Sequence, residues 1–429
     1  MTTSAASIPN ASAAPSRGVV QRLRALSRSN AIWSLADQGV VSVGNFATTI
    51  FVVSGLPPRE TGLYGILLDL TFFLNSIHAP LLTYPLSVKG AASDAGTTGR
   101  LTYASLSLTA VAGLCLLGAG VVAGVATGQV APVIWAAIAT AMWQLQEVTR
   151  RALMARLRVR AAVLGDGISY LGQALGVWML LQTNSMTLER IMMVVAATSA
   201  MALLVQTIQV RVERVGLQQI KDYARQFWQM GSWLLAGNLT GIICIPAFAW
   251  VLVYFHGLEA GAVNLALLSL LKVSHPIMSA VSNLIIPSVA SARGRGDREG
   301  MWRTFVKQAA LGAVLLAPFF MVLAIVPELV LRLVYSGDHT HQYAAYAGTL
   351  RVIVLSYVLV YLANMTTAYL TAVEKGRDVF AGHIANTAGS IFIGLPMTAV
   401  WGVVGAGWGG GIAVGARLVA NIVSIRRLR

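Results

Sequence analysis

Long apolar segments follow one another along the chain, and short polar connections separate them. Each segment is long enough to cross ~30 Å of hydrocarbon as a helix. The segments are residues 31–54, 61–88, 101–127, 130–149, 162–182, 191–210, 229–255, 261–290, 305–326, 344–373, 379–400 and 405–425. Only helices fit such segments, because a lone strand in lipid leaves its backbone groups without hydrogen bonds. The pattern predicts an all-α polytopic membrane protein of about twelve transmembrane helices.

The composition agrees with this prediction. Hydrophobic residues make up 56% of the chain and charged residues 11%, with a mean hydropathy of +0.69. A soluble domain carries about 25% charged residues, so this protein lacks the charges needed to cover a water-facing surface. The two cysteines, Cys115 and Cys244, lie within apolar segments, and no disulfide framework is implied.

Basic residues are distributed unequally between the two sides. With the N-terminus in the cytoplasm, most of the 31 Lys and Arg residues fall in cytoplasmic connections. The outer connections hold Arg59, Arg190, Arg332 and Arg351. The positive-inside rule therefore predicts that both termini are cytoplasmic. The net charge of +15 reflects this topology and attraction to anionic lipid headgroups, and we expect no nucleic-acid partner.

The chain divides into two halves with the same number of spans. We expect a disordered basic cytoplasmic tail at residues 1–28, an N-terminal six-helix bundle at 29–210, a cytoplasmic linker at 211–228 and a C-terminal six-helix bundle at 229–429. Each half enters from the cytoplasm, so the repeats are parallel and their axis lies along the membrane normal. A substrate site is then expected between the halves.

Short matches support this repeat. One ungapped shift aligns Gly55-Leu56 with Gly257-Leu258 and Pro85 with Pro287. A second shift aligns Thr149 with Thr366 and Gly165 with Gly382. Glycine and proline at equivalent depths indicate two pseudo-symmetric bundles.

Polar residues inside the spans are the candidate functional residues, because such residues usually face the bundle interior or a wet cavity. Lys272 lies deep within the eighth span, where its side chain cannot easily reach either surface, so we expect it in a functional cavity or a structural ion pair. Asn45 belongs to a polar stripe on the first span, and His275 and Asn283 lie near Lys272. A hydrogen bond between helices is the alternative role for each neutral side chain.

Three carboxylates within the spans, Asp37, Asp69 and Asp166, lie away from the basic clusters and are candidates for coupling to H⁺ or Na⁺. For Asp37, an ion pair near the cytoplasmic interface is the alternative.

Prolines within the second and eighth spans predict kinks, because proline removes a backbone hydrogen bond and clashes with the preceding turn. These candidate hinges are Pro80, Pro85, Pro276 and Pro287. A static bend is the alternative. The sequence shows no metal-ligand spacing, nucleophile motif, nucleotide loop or carboxylate pair, so we expect no metal, no cofactor and no enzymatic activity.

Four stretches resemble one family. They are Asn30–Phe51 with the following Gly55–Tyr64, Leu333–Asp338 before the tenth span, the turn Ala372–Arg377, and Trp401–Gly407 before the last span. In order and spacing they are similar to the Wzx-type polysaccharide flippases of the multidrug/oligosaccharidyl-lipid/polysaccharide (MOP) superfamily, which also contains the MATE transporters.

This resemblance implies a V-shaped pair of bundles that translocates undecaprenyl-pyrophosphate-linked oligosaccharide by alternating access in the bacterial inner membrane. It also implies an ion gradient or membrane potential as the driving force, membrane lipids as surroundings and other polysaccharide-assembly membrane proteins as partners. Lys272 and Arg351 are then candidate contacts to the pyrophosphate, with His275, Asn283 and Asn45 beside them.

Two other functions stay open. A small-molecule cation or drug antiporter of the same superfamily would show unpaired acids and few bases in its cavity. A polytopic glycan polymerase or ligase would need a sizeable outer loop that carries catalytic groups, and the outer connections here are short.

Overall fold

The computed structural model describes residues 30–91, 93–242, 244–294, 297–335 and 341–428. The predicted tail at residues 1–28 and the Ser336-Gly337-Asp338 motif lie outside the described residues. Throughout the described ranges the regular elements are helices, and none of these residues forms a strand.

The first half crosses the membrane region six times. Its helices are α1 (Asn30–Gly55), α2 (Pro58–His78), α3 (Tyr84–Ala91), α4 (Ala95–Thr127), α5 (Val130–Ala155), α6 (Val159–Asp166), α7 (Gly172–Gln182) and α8 (Leu188–Val210). A π-helical turn at Ala79–Thr83 joins α2 to α3, and another at Gly167–Leu171 joins α6 to α7. Each of these joined pairs therefore makes one pass.

The second half also makes six passes. Its helices are α9 (Leu217–Ile242), α10 (Cys244–Lys272), α11 (His275–Gly294), α12 (Arg298–Ile325), α13 (Pro327–Val334), α14 (His341–Ala344), α15 (Ala347–Ala372), α16 (Gly376–Gly389) and α17 (Leu395–Leu428). Gly257, with φ 80°, divides α10 between two passes, and Gly402, with φ 60°, divides α17 in the same way. A π-helical turn at Ser390–Gly394 joins α16 to α17.

Several passes are interrupted, which affects how spans are counted. Within the described ranges, eight helical stretches are long and apolar enough to cross a membrane, and one of them, Gly376–Leu428, has 53 residues. At a rise of ~1.5 Å per residue, that stretch is long enough for two crossings, and the turn at Gly402 separates them. The predicted all-α architecture of about twelve membrane helices in two pseudo-symmetric bundles is confirmed.

Equivalent hydrogen bonds demonstrate the internal symmetry. In the first bundle, Thr149 Oγ1 on α5 donates to Gln206 Oε1 on α8 at 3.0 Å. In the second bundle, Asn421 Nδ2 on α17 donates to Thr366 Oγ1 on α15 at 3.1 Å. Thr149 and Thr366 are the residues that the sequence repeat aligned.

The aligned glycines accommodate the same two amide side chains. A Cβ on Gly165 would overlap the amide of Gln206, and a Cβ on Gly382 would overlap the amide oxygen of Asn421. Both glycines are therefore required for close packing between neighbouring helices, which explains why the repeat keeps them.

The two bundles meet mainly where α2 packs on α10. Gly62 lies directly against the backbone carbonyl of Leu258, and Gly261 packs on Gly62. This contact lies near the end of the molecule at which α1 ends, which is the outer end in the predicted topology. The bundles are therefore closed against each other on that side.

The linker predicted at residues 211–228 is mostly helical, because α9 begins at Leu217. Apolar residues recur along α9 at helical spacing, and Phe227 is buried among Leu86, Leu101 and Val148 of the first bundle. Gly231 packs against the carbonyl of Pro80 in the first π-helical turn. The second half therefore starts with a helix that packs on the first bundle.

Candidate functional site

A small cavity between the bundles contains one carboxylate and one ammonium group. Asp69 on α2 and Lys272 at the end of α10 both line it, with Asn264 and the interface glycines Gly62 and Gly261. Its volume of about 30 Å³ has room for little more than a water molecule. The cavity is therefore too small, in this conformation, for any substrate larger than a few atoms.

A break in the helical backbone places Lys272. The α10 helix ends at Lys272 and α11 begins at His275, so the eighth span is interrupted by two residues. The Ser274 hydroxyl donates to the carbonyl of Leu271 at 2.6 Å and stabilises the turn. Residues before the break are buried, whereas Lys272 is exposed.

Asp69 and Lys272 interact across the boundary between the bundles. Their opposite charges attract each other, although the two groups do not form a direct ion pair. Asp69 is half-buried. A charge pair of this kind contributes to the contact between the halves and is broken when the halves separate.

The structure brings some predicted ligands together and separates others. His275 lies within electrostatic range of Lys272 and stacks on Tyr357, with the ring centroids 5.8 Å apart. Arg351 lies elsewhere: its Nε donates to the carbonyl of Ala324 at 3.0 Å, at the C-terminal end of α12. A common pyrophosphate site that includes Arg351 is therefore not formed in this conformation.

Two further predicted ligands are on helices near the bundle boundary. Asn45 is exposed on α1, which contacts both α10 and α11, and its carbonyl accepts a hydrogen bond from Thr49. Asn283 belongs to α11, but its side chain is outside the described part of the structure.

A buried ionic cluster in the first bundle corrects the view of Asp37 and Asp166 as carboxylates remote from a base. Arg150 Nη2 is 2.6 Å from Asp37 Oδ2, and Arg150 Nε is 2.5 Å from Asp166 Oδ2. Both carboxylates are fully buried. The sequence pattern ended the fourth span at residue 149, but α5 continues to Ala155 and directs Arg150 into the bundle.

Further carboxylate and amide groups complete the cluster. Glu147 pairs with Arg150 at 3.2 Å and with Arg151 at 2.5 Å. Gln146 Nε2 donates to Asp166 Oδ1 at 3.3 Å. The cluster thus holds three carboxylates and two guanidinium groups, so its carboxylates outnumber its bases by one.

Two oxygens in the cluster, Asp37 Oδ1 and Gln146 Oε1, lack a hydrogen bond within the described residues. Both oxygens are buried. Buried polar atoms are nearly always hydrogen-bonded, so each of these oxygens can still accept a hydrogen bond.

Sequence reasoning missed Arg150 and Glu147, although a signal was present. Glu147, Arg150 and Arg151 stand at spacings of three and four, which place side chains next to each other on a helix. That pattern indicates a helix continuing past residue 149 rather than a basic loop.

The second bundle carries a different charge in its interior. Arg417 Nη2 donates to Asn364 Oδ1 at 2.8 Å, and His383 lies within electrostatic range. Among the described residues no carboxylate forms an ion pair with Arg417. The buried ionic cluster of the first bundle therefore contains more carboxylates than bases. In the second bundle, Lys272 is exposed and Arg417 is half-buried.

The prolines predicted as hinges lie at or next to irregular backbone in most cases. Pro80 is in the first π-helical turn, and Pro85 follows that turn in α3. Pro276 is the second residue of α11, directly after the break. Pro287 lies within α11, and its side chain is outside the described residues.

The fold is that of known transporters. The chain is similar to a MATE-family multidrug resistance transporter of the MOP superfamily in an inward-facing conformation, with a TM-score of 0.71, 14% identity, and coverage of 90% of this chain and 93% of that chain. It is also similar to the lipid II flippase MurJ in an inward closed conformation, with a TM-score of 0.69, 10% identity, and coverage of 92% and 87%.

A third comparison concerns conformation. An outward-facing MATE transporter of the MOP superfamily gives a TM-score of 0.56 at 14% identity, with coverage of 94% of this chain and 96% of that chain. No protein family matches the chain by sequence, and no curated protein matches it either. The similarity establishes the MOP-transporter fold.

Proposed function

We propose that this protein is a flippase that translocates undecaprenyl-pyrophosphate-linked oligosaccharide from the cytoplasmic to the outer leaflet of a bacterial inner membrane. This proposal places it in surface polysaccharide biosynthesis. The observation that carries it is Lys272, a cationic side chain next to a helix break that lines the cavity between the two bundles of a chain with the MOP-transporter fold. An anionic headgroup that crosses hydrocarbon needs such a counter-charge, and lysine binds phosphate as a point charge.

The charges favour an anionic substrate over a cationic one. The acids of the first bundle already hold Arg150, so they are not free to receive an organic cation. Lys272 and Arg417 would repel such a cation. A cation antiporter is therefore the weaker candidate.

The short outer connections argue against a glycan polymerase or ligase. A two-residue connection, Leu56 and Pro57, joins α1 to α2, and residues 183–187 join α7 to α8. A longer outer connection, between α12 and α15, contains the short helices α13 and α14. Neither kind of connection has the size of a domain that could carry catalytic groups outside the membrane.

The alternating-access cycle is part of the proposal. The higher TM-scores with the inward-facing structure and the contact of Gly62 with Leu258 support a conformation that is closed at the outer end. The two moving bodies are residues 29–210 and 229–429, with the termini in the cytoplasm. Pro80 and Pro276 lie where the backbone is irregular and are the hinge positions that we favour.

Coupling to H⁺ is assigned to the cluster around Arg150. Its unpaired Asp37 oxygen and its additional carboxylate favour the uptake of one proton. Asp69 is the second candidate, because it shares a cavity with Lys272. Na⁺ and the membrane potential are the alternative driving forces.

Reconstitution tests the function directly. Proteoliposomes would contain a polyprenyl-diphosphate-linked oligosaccharide, and a non-permeant glycan-oxidising reagent would report which leaflet holds it. We expect the protein to accelerate the exchange between leaflets. We expect Lys272→Gln to abolish the acceleration, and Arg332→Gln, on the exposed face of α13, to retain it. Exchange equal to that of protein-free vesicles would refute the proposal.

A further inference from the structure

A second and larger cavity lies beside α9, and it shares no lining residue with the charged one. The end of α2 and the π-helical turn after it, together with α4, α5 and α9, line an open pocket of about 320 Å³, which is at the lower end of the range of about 300–1,000 Å³ typical of ligand pockets. Its walls are almost entirely hydrocarbon, with Leu74, Leu81, Leu108, Leu116 and Phe227 among them. We call it the α9 pocket.

The depth of the α9 pocket indicates its surroundings. Its residues come from the middle of α4 and from the part of α2 that leads towards α3, so it lies at membrane depth. Trp228 at its edge is exposed, and tryptophan is enriched at the boundary between lipid and water. A hydrocarbon chain can therefore enter the pocket from the lipid.

Basic side chains stand beside the pocket. Ala224 and Trp228 line it from α9, and Lys221 and Arg225 share their helix face at spacings of three and four. Both bases are exposed, and the acid Asp222, three residues before Arg225, offsets part of their charge, so the rim keeps a net charge of +1. The combination of an apolar pocket and a basic rim fits an amphiphile with an anionic head and a hydrocarbon tail.

The pocket is also close to the cavity that contains Asp69. Leu74 follows Asp69 by five residues on α2, a distance of about 7.5 Å along the helix axis. The two cavities therefore lie at neighbouring levels along α2, on different faces of that helix.

Two buried polar side chains, His78 and Gln144, interrupt the wall. His78 lines the pocket, its Nε2 is 2.9 Å from the hydroxyl of Thr109, and its Nδ1 has no partner within the described residues. A densely packed helix interface rarely leaves a ring nitrogen in this state. A hydrocarbon tail offers this nitrogen no hydrogen bond, so the fit of the pocket to a tail rests on its leucine-rich walls and not on His78.

We infer that the α9 pocket binds the polyprenyl tail of the lipid-linked substrate, with Lys221 and Arg225 contacting its phosphate before translocation. This inference rests on the proposed function, because it identifies the occupant as the substrate and not as a bulk phospholipid. It assigns to α9 the role of a docking helix.

Photo-crosslinking of the purified full-length protein in nanodiscs tests the inference. The probe is a polyprenyl monophosphate with a photoreactive group in its tail, and a phosphatidylglycerol with the same group in its acyl chain is the comparison. We expect adducts of the polyprenyl probe on α2, α4 and α9. Unlabelled polyprenyl monophosphate is expected to compete, and phosphatidylglycerol is not.

Two variants identify the pocket and its rim. Ala112→Phe fills the pocket and is expected to lower labelling about tenfold, a factor that corresponds to about 1.4 kcal/mol. Ala119→Phe, which is exposed on the same helix and outside the pocket lining, is the control and is expected to label normally. The double variant Lys221→Gln, Arg225→Gln changes only exposed residues. It is expected to weaken labelling by the polyprenyl monophosphate probe, but not by an uncharged polyprenol that carries the same photoreactive group.

Labelling requires no transport, so the two proposals fail separately. Equal labelling by phosphatidylglycerol, or normal labelling of both the pocket and the rim variants, overturns the docking site. Labelling that persists in Lys272→Gln, together with transport lost, supports a docking site distinct from the translocation site. Specific labelling of a protein that moves no glycan overturns the proposed function but leaves the docking site standing.

Discussion

Lys272 owes its exposure to the two residues that separate α10 from α11. An uninterrupted helix would place an ammonium group among buried neighbours, which is costly at membrane depth. The break instead turns the side chain towards Asp69 on the other bundle. The Asp69 carboxylate therefore competes with any anionic ligand for the ammonium group of Lys272.

This competition gives a prediction for Asp69. Asp69→Asn removes the negative charge and keeps the size of the side chain, so the affinity of the protein for inorganic pyrophosphate is expected to rise severalfold. Lys272→Gln is expected to abolish the same binding, and Lys272→Arg to retain part of it, because the charge persists with a different geometry. Calorimetric titration of purified protein measures both. Unchanged affinity in Asp69→Asn would show that the two groups act independently.

The cluster around Arg150 has a different physical character. Removal of one partner from a buried ion pair leaves a charge without compensation, at a cost of roughly 3–5 kcal/mol. Arg150→Met exposes three carboxylates to each other, and we expect a strongly lowered thermal midpoint. Arg151 is the matched control: it is about one-third exposed and pairs only with Glu147, so Arg151→Met is expected to cost roughly 0–1 kcal/mol. Similar midpoints for both variants would contradict a buried structural role.

The excess carboxylate of this cluster gives a test of coupling. Asp37→Asn keeps the hydrogen-bonding shape but leaves two carboxylates for two guanidinium groups. We expect this variant to flip the substrate down its gradient at a normal rate and to lose its response to an imposed pH gradient. Transport in vesicles with clamped inner and outer pH measures this, with the exposed Asp222→Asn as the control. A preserved response would exclude Asp37 as the coupling group.

At the scale of the elements, hydropathy predicted the passes well but not their ends. Each of the twelve predicted spans corresponds to a pass, because a helix that crosses the membrane needs an apolar segment of about 20 residues. The same reasoning placed Arg150 in a loop, since a basic residue after an apolar run normally marks the membrane surface. The buried partners Asp37 and Asp166 lie on other helices, so only the tertiary structure shows that Arg150 stays inside.

The hydropathy pattern also could not predict where the helices become irregular, except where a proline marked the position. Pro80 indicated a disturbance in the second span, and a π-helical turn is found there. The turn at Gly167–Leu171 contains no proline, and no periodicity distinguishes it from an ordinary helix. The turn and the helices α6 and α7 that it joins pack on α1, a contact that a single sequence does not reveal.

Gly257, whose φ is positive, separates two passes within α10, and its backbone conformation can be tested by substitution. A Cβ at Gly257 meets no atom within 4 Å, so a substitution there tests backbone conformation alone. Gly257→Ala is expected to cost roughly 1–2 kcal/mol because L-residues disfavour a left-handed conformation. Gly118 also has open space but lies in a regular part of α4, so Gly118→Ala is expected to be neutral or stabilising. Thermal unfolding in detergent compares the two, and equal midpoints would contradict the role of the turn.

At the scale of the whole molecule, the bundles are held together at the outer end by backbone packing. Between α2 and α10 the glycines allow the helices to approach closely, and such contacts between small residues stabilise membrane helices without large side chains. An outward-facing conformation requires this contact to open.

A disulfide across this contact tests the cycle. An ideal Cβ on Gly65 would lie 3.6 Å from the Cβ of Leu265, within the range of about 3.5–4.5 Å found in disulfides. In a variant without Cys115 and Cys244, we expect Gly65→Cys and Leu265→Cys together to crosslink on oxidation and to stop translocation. Reduction is expected to restore it, and each single substitution serves as a control. Full transport by the crosslinked protein would show that this end does not open.

The packing of α9 on the first bundle has a consequence for how the chain is assembled during synthesis. The first bundle emerges complete before α9, and α9 then finds its surface ready, with Phe227 buried among residues of α3, α4 and α5. The second half is thus anchored by its first helix before its remaining passes are inserted. If the chain were divided in the connection between α8 and α9 and the two polypeptides were expressed separately, α9 would still join the second half to the first bundle. The order in which the two polypeptides were made would then not affect their assembly.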